Sequence, residues 1–89
     1  ISLPEKVITE SIIEAFNKDA VCKINTNNFV ECSSSHRKKL QKILQNNLIL
    51  KFEGSNLIIP MDRLLLKIDH GKRAILNIKK SYNNKAILG

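Results

Sequence analysis

Tryptophan is absent, and aromatic residues make up only 4% of the 89 positions. The core must therefore be aliphatic, and isoleucine is unusually abundant among its candidates. No run approaches the roughly 20 apolar residues of a membrane-spanning helix, so no transmembrane span is expected. No Asn-x-Ser/Thr acceptor occurs, and no Gly-x-Ser-x-Gly elbow. His36 and His70 have no triad partners, so the nearby Ser33-Ser34-Ser35 gives no serine nucleophile. Cysteine is scarce: Cys22 and Cys32 are the only two. Their spacing does not fit a Cys-x-x-Cys redox or zinc motif, and only two histidines are available beside them. No metal and no cofactor is expected. A disulfide between the two cysteines would close a short loop, which geometry permits.

The chain opens at Ile1 without Met or a basic leader, and so reads as a segment excised from a longer protein. Absence of a leader then says nothing about secretion. A unit this small buries only roughly 60% of its unfolded surface, which leaves a thin stability margin.

Basic residues outnumber acidic ones by 15 to 8, for a net charge of +7. That balance favours nucleic acid, anionic membranes or acidic partners. The charge is uneven. Residues 1–20 are nearly balanced. His36-Arg37-Lys38-Lys39 with Lys42 forms one knot, and Lys67, Lys72, Arg73, Lys79, Lys80 and Lys85 spread over the second half.

Periodicity predicts a helix first. Ser2 stands at a capping position with Glu5 three residues on, and Pro4 falls in the first turn. Ile8, Ile12, Ala15 and Phe16 then form an apolar stripe. The polar stretch from Lys18 to Asn28 reads as loop, with a short strand at Val21, Cys22 and Ile24. Phe29 to Cys32 alternates as a strand, and Ser33 to Ser35 reads as a turn or cap cluster. A short amphipathic helix spans Ser35 to Gln45, with Leu40, Ile43 and Leu44 on one side. Its basic first turns lie at the end the helix dipole disfavours. Asn47 to Pro60 reads as a hairpin turning at Glu53-Gly54-Ser55-Asn56, with Leu48, Leu50 and Phe52 on one face and Leu57 and Ile59 opposite. Leu64-Leu65-Leu66 is a short strand or a helical turn. Asp69-His70-Gly71-Lys72 is a turn, Ala74 to Ile78 a strand, and Ser81 to Asn84 another turn. A last strand is expected over Lys85 to Gly89.

Taken in order, several pieces resemble the C-terminal lobe of pepsin-like aspartic peptidases, most nearly the fungal secreted group of yapsins and barrier peptidase. Ser2-Leu3-Pro4 before a helix is similar to the junction after that family's second Asp-Ser-Gly-Thr turn. Phe29-Val30-Glu31-Cys32-Ser33 resembles its aromatic-hydrophobic-Asp-Cys-Ser stretch. Leu50-Lys51-Phe52-Glu53-Gly54 resembles its strand and Gly turn, and Ile87-Leu88-Gly89 its closing Ile-Leu-Gly. The resemblance covers nearly the whole chain, in short pieces.

It implies that residues 1–89 are a mainly β segment of a C-terminal lobe, with orthogonally packed antiparallel sheets and one or two short α-helices. It also implies a secreted or cell-surface parent enzyme. Peptide or protein substrates and the N-terminal lobe of the same enzyme are the implied partners. Aspartic peptidases need two carboxylates sharing a proton across a water. Asp19, Asp62 and Asp69 lack the following Ser/Thr-Gly, so no catalytic residue lies in the chain; the second catalytic Asp is expected just before Ile1. Ile87, Leu88 and Gly89 would then pack beneath that turn. Where the family places a cysteine to pair with the counterpart of Cys32, Ala74 stands here, so Cys32 is free or joined to Cys22.

Two other readings remain open. The basic knot on a helix followed by a hairpin has a winged-helix outline and fits a nucleic-acid-binding module. Phe16, Phe29, Phe52 and Tyr82 offer few stacking surfaces for one. A catalytically dead, binding-only lobe is compatible with Ala74.

Overall fold

One strand organises the molecule. Along Arg73–Lys80, Ala74, Leu76 and Ile78 are buried while Arg73, Asn77 and Lys79 are exposed. That period of two is what an antiparallel strand with one wet face requires. The computed structural model describes residues 1–88. In chain order it contains β1 (Ser2–Leu3), α1 (Glu5–Ile8) running on as a π-helical turn (Thr9–Ile13), β2 (Val21–Ile24) and β3 (Phe29–Ser33). Next come α2 (Arg37–Leu44), β4 (Asn47–Phe52), β5 (Ser55–Pro60), a 3-10 turn (Met61–Leu64), β6 (Leu65–Asp69) and β7 (Arg73–Lys80).

The protein is mainly β, with two short α-helices. β7 is the hub of a five-stranded mixed sheet. On one edge it pairs antiparallel with β3, which in turn pairs with β2. On the other edge it pairs antiparallel with β6 and parallel with β1. β4 and β5 form a separate two-stranded sheet. Leu3, Ile8, Ile12, Val30, Leu40, Ile43, Leu48, Leu50, Met61, Leu76 and Ile78 join in one buried aliphatic cluster between these layers.

The N-terminal segment departs from expectation twice. Ser2 does not cap a helix: it lies in β1, opposite Lys79. The helix begins only after Pro4, whose extended backbone (ψ 148°) and missing amide suit a strand-to-helix corner. Ala15 also leaves the apolar stripe. Glu14 N–H donates to Thr9 C=O at 2.9 Å, a five-residue step that inserts one residue into the turn. An inserted residue sets everything after it back by about 100°. Ala15 therefore turns to solvent and Phe16 takes its place in the core beside Ile8 and Ile12.

α2 forms despite its basic first turn. An unfavourable charge–dipole term is worth about 0.3–1 kcal/mol, whereas burying an aliphatic side chain yields about 1.5–3 kcal/mol. Leu40 and Ile43 are both fully buried, so burial decides.

In the hairpin, Leu48 faces Ile59 and Leu50 faces Leu57, as the alternation requires. The turn is tighter than the sequence implies: only Glu53 and Gly54 are unpaired, and Ser55 and Asn56 already belong to β5. Phe52 extends beyond the core and is 45% exposed. Leu64 to Leu66 is shared between two elements, the 3-10 turn ending at Leu64 and β6 beginning at Leu65, with Leu66 turned outward. The strand expected from Lys85 is not formed over the described residues. Ile87 makes one isolated antiparallel bridge to Ser2 instead. Gly89 lies outside the described residues.

Candidate functional site

β1 is short because it is a splice between two partners. Ile1 C=O accepts from Lys79 N–H at 2.8 Å, and Leu3 C=O accepts from Ser81 N–H at 2.9 Å, which fastens one side to β7. On the other side Ser2 N–H donates to Ile87 C=O at 2.8 Å, and Ile87 N–H donates to Ser2 C=O at 2.9 Å. The sequence-expected site segment at Ile87 and Leu88 is thereby brought against Ser2-Leu3-Pro4. Leu3 is buried beneath this seam, while Ile87 and Leu88 are exposed on it.

Cys22 and Cys32 are direct partners across β2 and β3, and a disulfide joins them. Both side chains are buried. Cys32 also faces Ala74 on the opposite neighbour, β7. The outer face of the same ladder carries charge. Glu31 is nearly buried between Lys23, 4.0 Å away, and Arg73, 3.9 Å away.

The three aspartates are dispersed. Asp62 is exposed in the 3-10 turn, and Asp19 lies in the loop before β2. Asp69 is the engaged one. Arg73 donates to Asp69 Oδ2 from Nε at 3.2 Å and from Nη2 at 2.5 Å, and Lys67 Nζ lies 3.4 Å from Oδ1. The guanidinium hydrogen bonds hold the Asp69 carboxyl below its ordinary range; partial desolvation opposes them and Lys67 adds to them. This cluster was not singled out by sequence reasoning. The signal was present, because the Asp69-His70-Gly71-Lys72 turn sets positions 69 and 73 opposite each other.

That turn has φ 53° at His70 and 69° at Gly71, and Lys72 N–H donates to Asp69 C=O at 2.9 Å. Two central residues with positive φ are the mark of a type I′ turn. The Arg37 side chain lies over Gly71, so a Cβ there would meet its Cδ and Nε at 3.1 Å. The basic knot is therefore divided. Arg37 packs on the β6–β7 turn, while His36 and Lys39 face a recess beside it.

Among the described residues, no three His, Cys, Asp or Glu side chains converge as a metal set. Among the described residues, no helix is long and apolar enough to cross a membrane. Against family models, curated proteins and solved structures alike, the chain has no match.

Proposed function

We propose that the chain is scaffold and cleft wall from the C-terminal lobe of a pepsin-like aspartic endopeptidase, acting on peptide or protein substrates outside the cell or at its surface. In this reading the catalytic Asp-Ser/Thr-Gly turn immediately precedes Ile1. The N-terminal lobe supplies the other carboxylate, and this chain supplies none.

The observation that carries the reading is the pair of Ser2–Ile87 backbone hydrogen bonds. Ser2-Leu3-Pro4 and Ile87-Leu88 are the two motifs that the resemblance would bring around one catalytic turn, and they lie at opposite ends of the chain. A fold that joins them by two hydrogen bonds is what a shared support beneath that turn demands. Pairing of Cys32 with Ala74 across β3 and β7 adds weight. It sets a residue of disulfide-compatible position opposite Cys32, as the family's lobe bridge would need, with the partner thiol missing.

The test starts with the coding sequence upstream of Ile1, which should encode Asp-Ser/Thr-Gly within a few residues. The whole protein should then hydrolyse a protein substrate, and replacing that Asp by Asn should abolish hydrolysis. Absence of the upstream motif would remove the peptidase assignment. Its presence without activity would leave the binding-only lobe.

A further inference from the structure

A recess opens where β3 ends, α2 begins and the β6–β7 turn crosses over. Its volume is about 610 Å³. Lys18 borders it from the loop before β2, His36 and Lys39 from the start of α2, and Lys72 and Arg73 from the β6–β7 turn and the first position of β7. The hydroxyl-bearing run Ser33-Ser34-Ser35 forms one wall.

Backbone bonds fix this wall. Ser34 N–H donates to Lys72 C=O at 2.9 Å, and His36 N–H donates to Ser34 Oγ at 3.2 Å. The Lys72 amide is held in turn by Asp69, in the I′ turn under Arg37. Lysines from three distant parts of the chain thus face a space whose floor is pinned by hydrogen bonds.

The charge is unbalanced. Arg73 is satisfied by Asp69 and Glu31. Lys18, Lys39 and Lys72 make no ion pair among the described residues, and Asp19 is the one carboxylate on the rim. Unpaired positive charges bordering one recess favour a bound anion, and most of all a dianion. A phosphomonoester is such a dianion, with three acceptor oxygens for ammonium and hydroxyl donors.

We propose that this recess binds a phosphomonoester group, carried on the side chain of a phosphorylated peptide. Single-stranded nucleic acid fits less well. No Phe, Tyr or Trp lines the recess for base stacking, and Lys38 and Lys42 do not border it, so the cations cluster at one place rather than form a track. The site is also separate from the Ser2–Ile87 seam. The recess lies at the Arg73 end of β7 and the seam at the Lys79 end, roughly 20 Å apart at about 3.3 Å per residue. The proposal therefore stands whether or not the peptidase reading does.

Amide chemical shifts of the chain would be followed while titrating inorganic phosphate, a phosphoserine peptide, its unphosphorylated form and a single-stranded oligonucleotide. The expected result is saturable movement of the Ser34, Ser35, His36 and Lys72 amides with phosphate and the phosphopeptide, with little from the unphosphorylated peptide. The K39E/K72E double variant should weaken phosphopeptide binding at least about tenfold, and K18E should weaken it several-fold. Lys51→Glu, on exposed β4, should change it less than about twofold. No saturation by about 20 mM phosphate would overturn the proposal. So would tighter oligonucleotide binding that Lys51→Glu weakens as much as K39E/K72E.

Discussion

Cys32 faces Ala74 across the β3–β7 ladder while its sulfur is bonded to Cys22 on β2, the strand at its other side. One cysteine thus has a cross-strand neighbour on each side, and only one of them is a thiol partner. Antiparallel partners lie about 4.5–5.5 Å apart at Cα, within disulfide reach.

The C22A/A74C variant should therefore oxidise to a bond between positions 32 and 74. The sulfur removed at position 22 leaves room beside Cys32, so the core need not expand. In the chain-entropy account, closing 42 residues (74 − 32) in place of 10 stabilises by about 1 kcal/mol more. Non-reducing peptide mapping reads the pairing, and urea denaturation reads the gain. A variant that stays reduced would contradict the β3–β7 register.

Gly71→Ala should be more damaging than Gly54→Ala. Both glycines have positive φ, 69° and 80°, and each substitution forces an alanine into the left-handed region at about 1–2 kcal/mol. At Gly54 a Cβ meets nothing within 4 Å, but at Gly71 it meets the Arg37 side chain at 3.1 Å. The Arg37 side chain must then give way by a few tenths of an ångström. Thermal or urea denaturation should rank the two variants accordingly. In the R37A background the difference between them should shrink, a coupling that a double-mutant cycle measures.

The two faces of the β4–β5 hairpin should respond differently to truncation. Leu50 is 2% exposed and faces the core, whereas Ile58, on the opposite face, is 58% exposed. Leu50→Ala should destabilise by about 2–5 kcal/mol, through lost transfer energy and the cavity left behind. Ile58→Ala should stay within about 1 kcal/mol. Equal effects would mean that the hairpin's outer face is covered, which the exposed pair Ile49 and Ile58 does not indicate.

Legibility of this fold follows the range of the forces involved. Alternation is a local signal, and it marked Phe29 to Cys32 and the hairpin, while β2 and β7 were visible as short apolar runs. The second helix was equally visible, since Leu40 and Ile43 outweigh a misplaced charge. Ser2 was misread because its capping pattern is local, while its pairing with Lys79 joins residues at opposite ends of the chain. Ala15 was misread because periodicity assumes 3.6 residues per turn and the π turn does not keep that count. The recess beside α2 could not be read in advance, since Lys18, Lys39 and Lys72 border one space only after the sheet forms. Ile87 pairs with Ser2 by one isolated bridge, and the Asp69–Arg73 pair, not expected from sequence, follows from the turn geometry between them.

That pair makes stability depend on pH in a definite direction. Arg73 hydrogen bonds favour the ionised form of Asp69, so its carboxyl titrates below its ordinary value of about 3.9. A carboxylate with a depressed folded-state pKa stabilises the fold above its unfolded value, and that contribution fades as pH falls through the folded value. Arg73→Ala should raise the Asp69 titration midpoint towards the ordinary value in a carboxyl-carbon NMR titration. The stability deficit of R73A relative to the native chain should be full near neutral pH and shrink below about pH 4, where the unpaired carboxyl already protonates. Arg73 also faces Glu31 at 3.9 Å, so D69N provides the control. The D69N chain should lose the same acid-dependent increment while keeping the Glu31 contact. If the R73A deficit measured by urea denaturation were the same at pH 7 and well below pH 3, the Asp69–Arg73 pair would not be its source.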